Sequence, residues 1–171
     1  SGTLEQVTTT SGNLAGITSV LANRIVLEAL KNDRIGHLSN YKTISREVKF
    51  GLENSKIDFL LKKESQNCFV EVKSVSLDMG NHFALFPDAP TSRGRKHLRE
   101  LTHIASSGHR AVLFFCVQLG SVNRLGFAKK IDPDYLTTLE AALSGGVEVL
   151  AMNCNLTKYG INLKRAVDLV I

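Results

Sequence analysis

Tryptophan is absent from this chain of 171 residues, and aromatics make up only 6% of it. That argues against a protein that reads single-stranded nucleic acid by stacking bases on a row of rings. Cysteine is scarce as well. Cys68, Cys116 and Cys154 are odd in number, widely spaced and set in apolar runs, which predicts buried reduced thiols rather than a disulfide frame or zinc site. No apolar run approaches the roughly 20 residues of a membrane-spanning helix, and no leader segment is visible, so the expected compartment is the cytoplasm. There is no internal repeat, no low-complexity tract and no nucleotide-cradling glycine-rich loop; Gly145-Gly146 reads as a helix stop. What remains is a chain with 43% hydrophobic residues, long enough for one well-buried core and too short for two ordinary domains. A net charge of +5 suits a polyanionic partner.

Asp58 and Glu71-x-Lys73 stand out. Both are carried by apolar runs, Lys56-Ile57-Asp58-Phe59-Leu60-Leu61 and Cys68-Phe69-Val70-Glu71-Val72-Lys73-Ser74-Val75, joined by the polar stretch Lys62–Asn67. The polar stretch reads as a hairpin turn. With the turn centred between Glu64 and Ser65, Asp58 lies opposite Glu71. Cross-strand partners share a face with Cβ atoms roughly 4.5–5.5 Å apart, and Lys73, two residues on, projects from the same face. Two close carboxylates repel, and burying them is costly without a cation. A hard ion such as Mg2+ binds through one or two carboxylates and completes its shell with water and phosphate. An adjacent lysine can orient or help deprotonate an attacking water. The competing reading is a cross-strand charge cluster at a solvated sheet edge, but the apolar flanks make these strands look buried.

Three segments precede a fourth in a fixed order: Arg46-Glu47-Val48-Lys49-Phe50-Gly51, the two runs above, then Phe86-Pro87-Asp88-Ala89-Pro90-Thr91-Ser92-Arg93-Gly94-Arg95-Lys96-His97-Leu98-Arg99-Glu100-Leu101. Together with Ala22-Asn23-Arg24 they resemble the sugar fermentation stimulation protein A family over nearly the whole chain. The resemblance implies an α/β fold with a mixed β-sheet flanked by helices, the PD-(D/E)XK (restriction-endonuclease-like) core. It also implies a DNA-binding protein linked to regulation of sugar metabolism. Carried over, the metal-ligating acids fall on Asp58 and Glu71 and the lysine on Lys73, with Mg2+ or Mn2+ as cofactor. Ile57, not proline, precedes the first acid, and Pro87-Asp88 follows Glu71-x-Lys73, the wrong order for the motif. Family members begin with a small oligonucleotide-binding-type barrel, for which there is no room before the first helix here; Ser1-Gly2 reads as an expression scar.

Residues 1–15, rich in Thr, Ser and Gly, read as a flexible segment or linker remnant, and 16–171 as the nuclease-like domain. Ser19 can cap a helix of about thirteen residues whose apolar face is Ala22, Ile25, Val26, Ala29 and Leu30. On another face, Glu28 is a candidate extra acid, against the plainer reading of a salt-bridge ladder with Arg24 and Lys31. A strand at 44–50 carries Glu47, a candidate catalytic or metal-site acid whose plainer reading is a cross-strand ion pair. A long loop over 78–90, a helix from 91 to 107, a central strand over 110–118, a strand over 122–128, a helix over 132–144 and a strand over 147–154 complete the expectation. Cys68, Cys116 and Cys154 all fall within or beside these strands.

Arg93, Arg95, Lys96 and Arg99 crowd the start of the 91–107 helix, where cations oppose the helix dipole at about 0.3–1 kcal/mol each when exposed. Something negative is expected nearby. Helix amides with basic side chains make an anion site, so these four are the candidate contacts to a DNA phosphate backbone, non-specific in sequence. A solvated face with Glu100 as partner is the alternative, and His97 fits packing or contact equally. Two functions compete: a metal-dependent nuclease that hydrolyses phosphodiesters with activated water, and a non-catalytic DNA-binding regulator on the same fold. The complete acid–acid–lysine set favours the first.

Overall fold

The structure, a computed structural model, describes residues 11–50 and 55–171, with side chains from residue 18 onward. The expected flexible segment lies outside the described residues up to residue 10; from Ser11 the chain is already helical. Helix α1, Ser11–Lys31, therefore starts eight residues before the expected cap at Ser19. A serine inside a helix is tolerated, and the Thr/Ser/Gly bias of the stretch is a weak prior that tertiary context overrides. The predicted apolar face holds: Leu21, Ala22, Ile25, Val26, Ala29 and Leu30 are all buried.

Strands β1 (Thr43–Phe50), β2 (Ser55–Lys63) and β3 (Gln66–Val75) form an antiparallel meander, the expected hairpin with the expected 44–50 strand paired to its first arm. The β2–β3 register pairs Lys63 with Gln66 and Phe59 with Val70, which places the turn between Glu64 and Ser65. From β3 the main sheet continues in parallel to β6 (Arg110–Val117) and β8 (Glu148–Thr157), then antiparallel to β9 (Gly160–Ala166). Strand β6 lies between two parallel neighbours, and Ala111 to Val117 are fully buried, as expected for a strand covered on both faces.

Two hydrophobic clusters sit on opposite faces of this six-stranded sheet. Helix α1 covers the face of Phe59, Leu61, Val70, Val72, Val112 and Phe114. Helices α2 (Ser92–Ser106) and α3 (Pro133–Ser144) cover the face of Leu60, Phe69, Leu113 and Phe115. The same face carries a second, four-stranded sheet built from β4 (Leu77–Asp78), β5 (Phe83–Phe86), β7 (Arg124–Phe127) and β10 (Asp168–Leu169). The predicted 78–90 loop is therefore partly strand. Each piece is too short for two-residue periodicity to declare itself. Among the described residues, no helix is long and apolar enough to cross a membrane. The three cysteines are free and buried, as expected.

A paired-carboxylate candidate active site

The ladder between β2 and β3 ends at Phe59–Val70, one pair short of the acids. Beyond that point the carboxylates replace the ladder. Val72 N donates to Asp58 Oδ2 at 2.8 Å, and Asp58 N donates to Glu71 Oε1 at 3.2 Å. Each acid thus accepts a backbone N–H from the other strand, which satisfies donors that would otherwise be buried without partners. Asn23 Nδ2 of α1 donates to Asp58 Oδ1 at 3.1 Å.

A matched irregularity on the other side of β2 opens the space. Residues 43–46 pair with 59–62 and residues 48–50 with 55–57, but Glu47 and Asp58 are not paired. Glu47 adopts a positive φ of 52°, an uncommon backbone state that for a non-glycine residue carries strain and concentrates at functional positions. Alternation slips by one in both strands. Ile44 and Phe59 pack in the α1-side cluster, whereas Val48, Phe50 and Ile57 pack in the opposite one. Strict two-residue alternation would put Ile57 with Phe59 and Ile44 with Val48. The slip leaves Asp58 and Glu47 at the mouth of a cavity of about 610 Å³, lined also by Asn23, Glu71, Lys73, Asp88, Arg93 and His97.

Glu71 is 3% exposed. His97 Nδ1 approaches its Oε2 to 2.6 Å, and Lys73 Nζ stands 3.6 Å from the same oxygen and 2.8 Å from His97 Nδ1. Burial, and next the Glu71 carboxylate, push the Asp58 carboxyl up to about 7. Burial, then the Lys73 ammonium, push the His97 imidazole down to about 4. The 2.6 Å contact with Glu71 would favour an imidazolium, but burial and the ammonium outweigh it, so the ring is neutral at neutral pH. A buried carboxylate, Glu71, beside the half-buried Asp58 carboxyl forms a donor set suited to a hard divalent cation. Among the described residues, no group of three or more His, Cys, Asp or Glu is arranged to hold a metal ion. A two-carboxylate site of the magnesium kind, completed by water, needs no third.

Residues 20–160 match the family model described as the sugar fermentation stimulation protein RE domain. The chain belongs to that family. A sugar fermentation stimulation protein homolog of Saccharophagus degradans is 46% identical over 160 residues, covering 94% of this chain and 66% of that protein. Its counterpart in Teredinibacter turnerae is 45% identical over 169 residues, covering 99% and 72%. This chain thus spans about two-thirds of the length of the curated relatives it matches. In three dimensions it resembles SfsA of Pyrococcus furiosus, solved in complex with Ca2+, with a TM-score of 0.82 and 29% identity over 91% of this chain and 66% of that one. The mixed sheet with helices on its faces is the restriction-endonuclease-like core that the sequence implies for the family.

Asp58, Glu71 and Lys73, singled out in the sequence, line one cavity together with Glu47. Glu28 is exposed on α1 and does not line the cavity; Asn23, five residues earlier, is the α1 residue that donates to Asp58. The basic cluster divides. Arg93 is exposed and lines the cavity. Arg95 differs from the expectation: its Nη1 lies 2.5 Å from Asp132 Oδ2, and its side chain is 24% exposed. Lys96 Nζ lies 3.9 Å from Glu100 Oε1, and Arg99 is exposed. The negative charge expected near this helix start is supplied from within the chain. Asp132, 3% exposed, caps α3 through Tyr135 N and accepts from Thr91 N and Arg95 together.

Three contributors escaped the sequence reading. Asn23 lay in a recognised segment but had no assigned role, His97 was left between packing and contact, and Asp132 read only as a helix start. A neutral polar residue one helical turn from an apolar stripe was the available signal for Asn23. Asp132 gave no local sign that it would serve two helices.

Proposed function

We propose that this domain is a divalent-metal-dependent nuclease acting on DNA, in which Asp58 and Glu71 hold Mg2+ or Mn2+. The observation that carries the reading is the interlocked Asp58–Glu71 pair with the Lys73 ammonium 3.6 Å from Glu71. The Ca2+ that accompanies the Pyrococcus furiosus relative supports a divalent ion as the ligand. When bound, such an ion polarises a phosphoryl oxygen and lowers the pKa of water. The chain's own residues supply the rest. Asn23 and Val72 N orient the Asp58 carboxylate. Lys73 Nζ, at the cavity wall, orients the attacking water and offsets charge developing on the phosphate. Arg93 at the rim contacts the phosphate backbone without reading sequence. Glu47, across the broken ladder from Asp58, lines the same cavity and adds negative charge to it, as does Asp88.

The test is incubation of the purified protein with linear, branched and single-stranded DNA, with and without Mg2+ or Mn2+. Metal-dependent cleavage that disappears in Asp58→Ala and Lys73→Ala is the expected result. Metal-dependent binding without cleavage of any of these substrates would instead favour a DNA-binding regulator that retains the fold.

A further inference from the structure

An ammonium can only donate hydrogen bonds and a carboxylate can only accept them. Left to themselves, Lys73 Nζ and Glu71 Oε2 would close to the roughly 2.7–2.9 Å of a charge-assisted pair. They stand 3.6 Å apart instead. His97 Nδ1 occupies the angle between them, at 2.6 Å from the oxygen and 2.8 Å from the nitrogen.

The ring is buried. His97 is 5% exposed on α2, next to the fully buried Leu98 and one turn from the fully buried Leu101. Thr91, which caps the helix through Gly94 N, anchors the turn that presents it. A ring nitrogen has one in-plane direction, so Nδ1 either accepts from Lys73 or donates to Glu71 at a given moment. The other partner remains in contact without a full hydrogen bond. A packing role alone would need the ring's bulk and not the placement of this nitrogen between two opposite charges.

We propose that His97 is a positioning residue whose Nδ1 holds the Lys73 ammonium off the Glu71 carboxylate. Glu71 thereby keeps an oxygen available to a cation, and the ammonium stays turned to the cavity. The proposal rests on the reading of Asp58 and Glu71 as cation ligands. Without the nitrogen, Lys73 collapses onto Glu71 and competes with the metal for the same oxygen.

The experiment is calorimetric titration of Mn2+ into the full chain and into variants, each first shown to melt cooperatively in EDTA. His97→Ala and His97→Phe should both weaken Mn2+ binding by about tenfold, the low end of the range for residues that orient metal ligands. His97→Asn, whose amide places a polar atom near the position of Nδ1, should recover binding to within about threefold of wild type. In a Lys73→Met background, where nothing is left to collapse, His97→Ala should leave the Mn2+ affinity unchanged. Wild-type affinity in His97→Phe would overturn the proposal, because bulk alone would suffice. So would an undiminished loss for His97→Ala in the Lys73→Met background. If His97→Ala does not fold, equal affinities for His97→Asn and His97→Phe overturn it. Asp58→Ala and Glu71→Ala serve as controls. If they bind Mn2+ as wild type does, the ligand assignment itself is wrong, whereas loss in those two without coupling between His97 and Lys73 removes this proposal alone.

Discussion

Replacing Asp58 by asparagine should stabilise the metal-free protein at alkaline pH, although it removes a proposed metal ligand. Burial and the Glu71 carboxylate push the Asp58 carboxyl from 3.8 up to about 7. At about 1.36 kcal/mol per pH unit, ionising this group in the folded chain costs on the order of 4 kcal/mol. Because the folded state holds the proton more tightly than the unfolded one, wild-type stability falls as pH rises from about 4 to about 7 and is level above that. Asparagine keeps the shape and carries no charge. Its Oδ1 still accepts from Val72 N, while its amide N–H must meet Asn23, which can turn its own oxygen to receive it. With part of the gain spent on that rearrangement, Asp58→Asn should be about 2 kcal/mol more stable than wild type at pH 8 in EDTA, or roughly 4–8 °C in Tm for a chain of this size. The advantage should shrink as pH falls, vanish at about pH 5.5, where the cost of ionising Asp58 no longer exceeds that of the rearrangement, and reverse below it. Added Mn2+ should reverse the order, since binding to the native state raises the wild-type Tm. Urea titrations at pH 8 and pH 5, in EDTA and in Mn2+, provide the assay. A variant no more stable than wild type at pH 8 in EDTA, or one with the same advantage at both pH values, would refute the reasoning.

Mg2+ or Mn2+ should raise the wild-type melting temperature, and Asp58→Ala or Glu71→Ala should each abolish the rise; a rise that survives in both places the ion elsewhere. Lys73→Ala should retain most of the metal-induced rise while eliminating cleavage, as measured on the substrates above. Arg93→Ala should weaken DNA binding for all sequences and reduce the slope of log K against log salt by about one, since one phosphate contact is lost. Arg95→Ala should instead cost about 1.5–3 kcal/mol of folding stability by denaturant titration, because Asp132 loses its charged partner, and should change the salt slope little. Gly94→Ala should destabilise the domain, since a Cβ there would stand 2.8 Å from Thr91 Cγ2 and 3.2 Å from Tyr135 Cε2; a thermal melt equal to wild type would show that the α2–α3 contact yields easily.

The hairpin was legible because its information is local. A polar turn between two apolar runs sets the register, and Asp58, Glu71 and Lys73 follow from counting. The starts of α2 and α3 were legible for the same reason: each helix begins one residue after the expected 91 and 132, where Thr91 accepts from Gly94 N and Asp132 from Tyr135 N. What could not be read depends on distant segments. Counting assumes unbroken alternation, and the slip at Glu47 and Asp58 breaks it in two strands at once. Arg95 looked like a phosphate contact because its partner, Asp132, lies 37 positions away in sequence. His97 depends on how α2 crosses the sheet, which no residue within the helix announces. The second sheet was missed because β4, with two residues, and β5, with four, are stabilised by pairing rather than by any pattern of their own.

The paired slip makes Asp58 a pivot between two interiors. Its neighbour Ile57 is anchored in the core beneath α2 and α3, while its other neighbour, Phe59, is anchored in the core beneath α1. A carboxylate on an evenly alternating strand would register disturbance mainly from one side of the sheet. This one is levered from both. A methyl group removed at Val26 on α1, which shares a core with Phe59, or at Leu101 on α2, which shares one with Ile57, should reach the same two oxygens through opposite ends of a three-residue arm. Substitutions far from the cavity on either layer should therefore shift metal affinity, and compensating changes are to be sought across the sheet rather than beside the site.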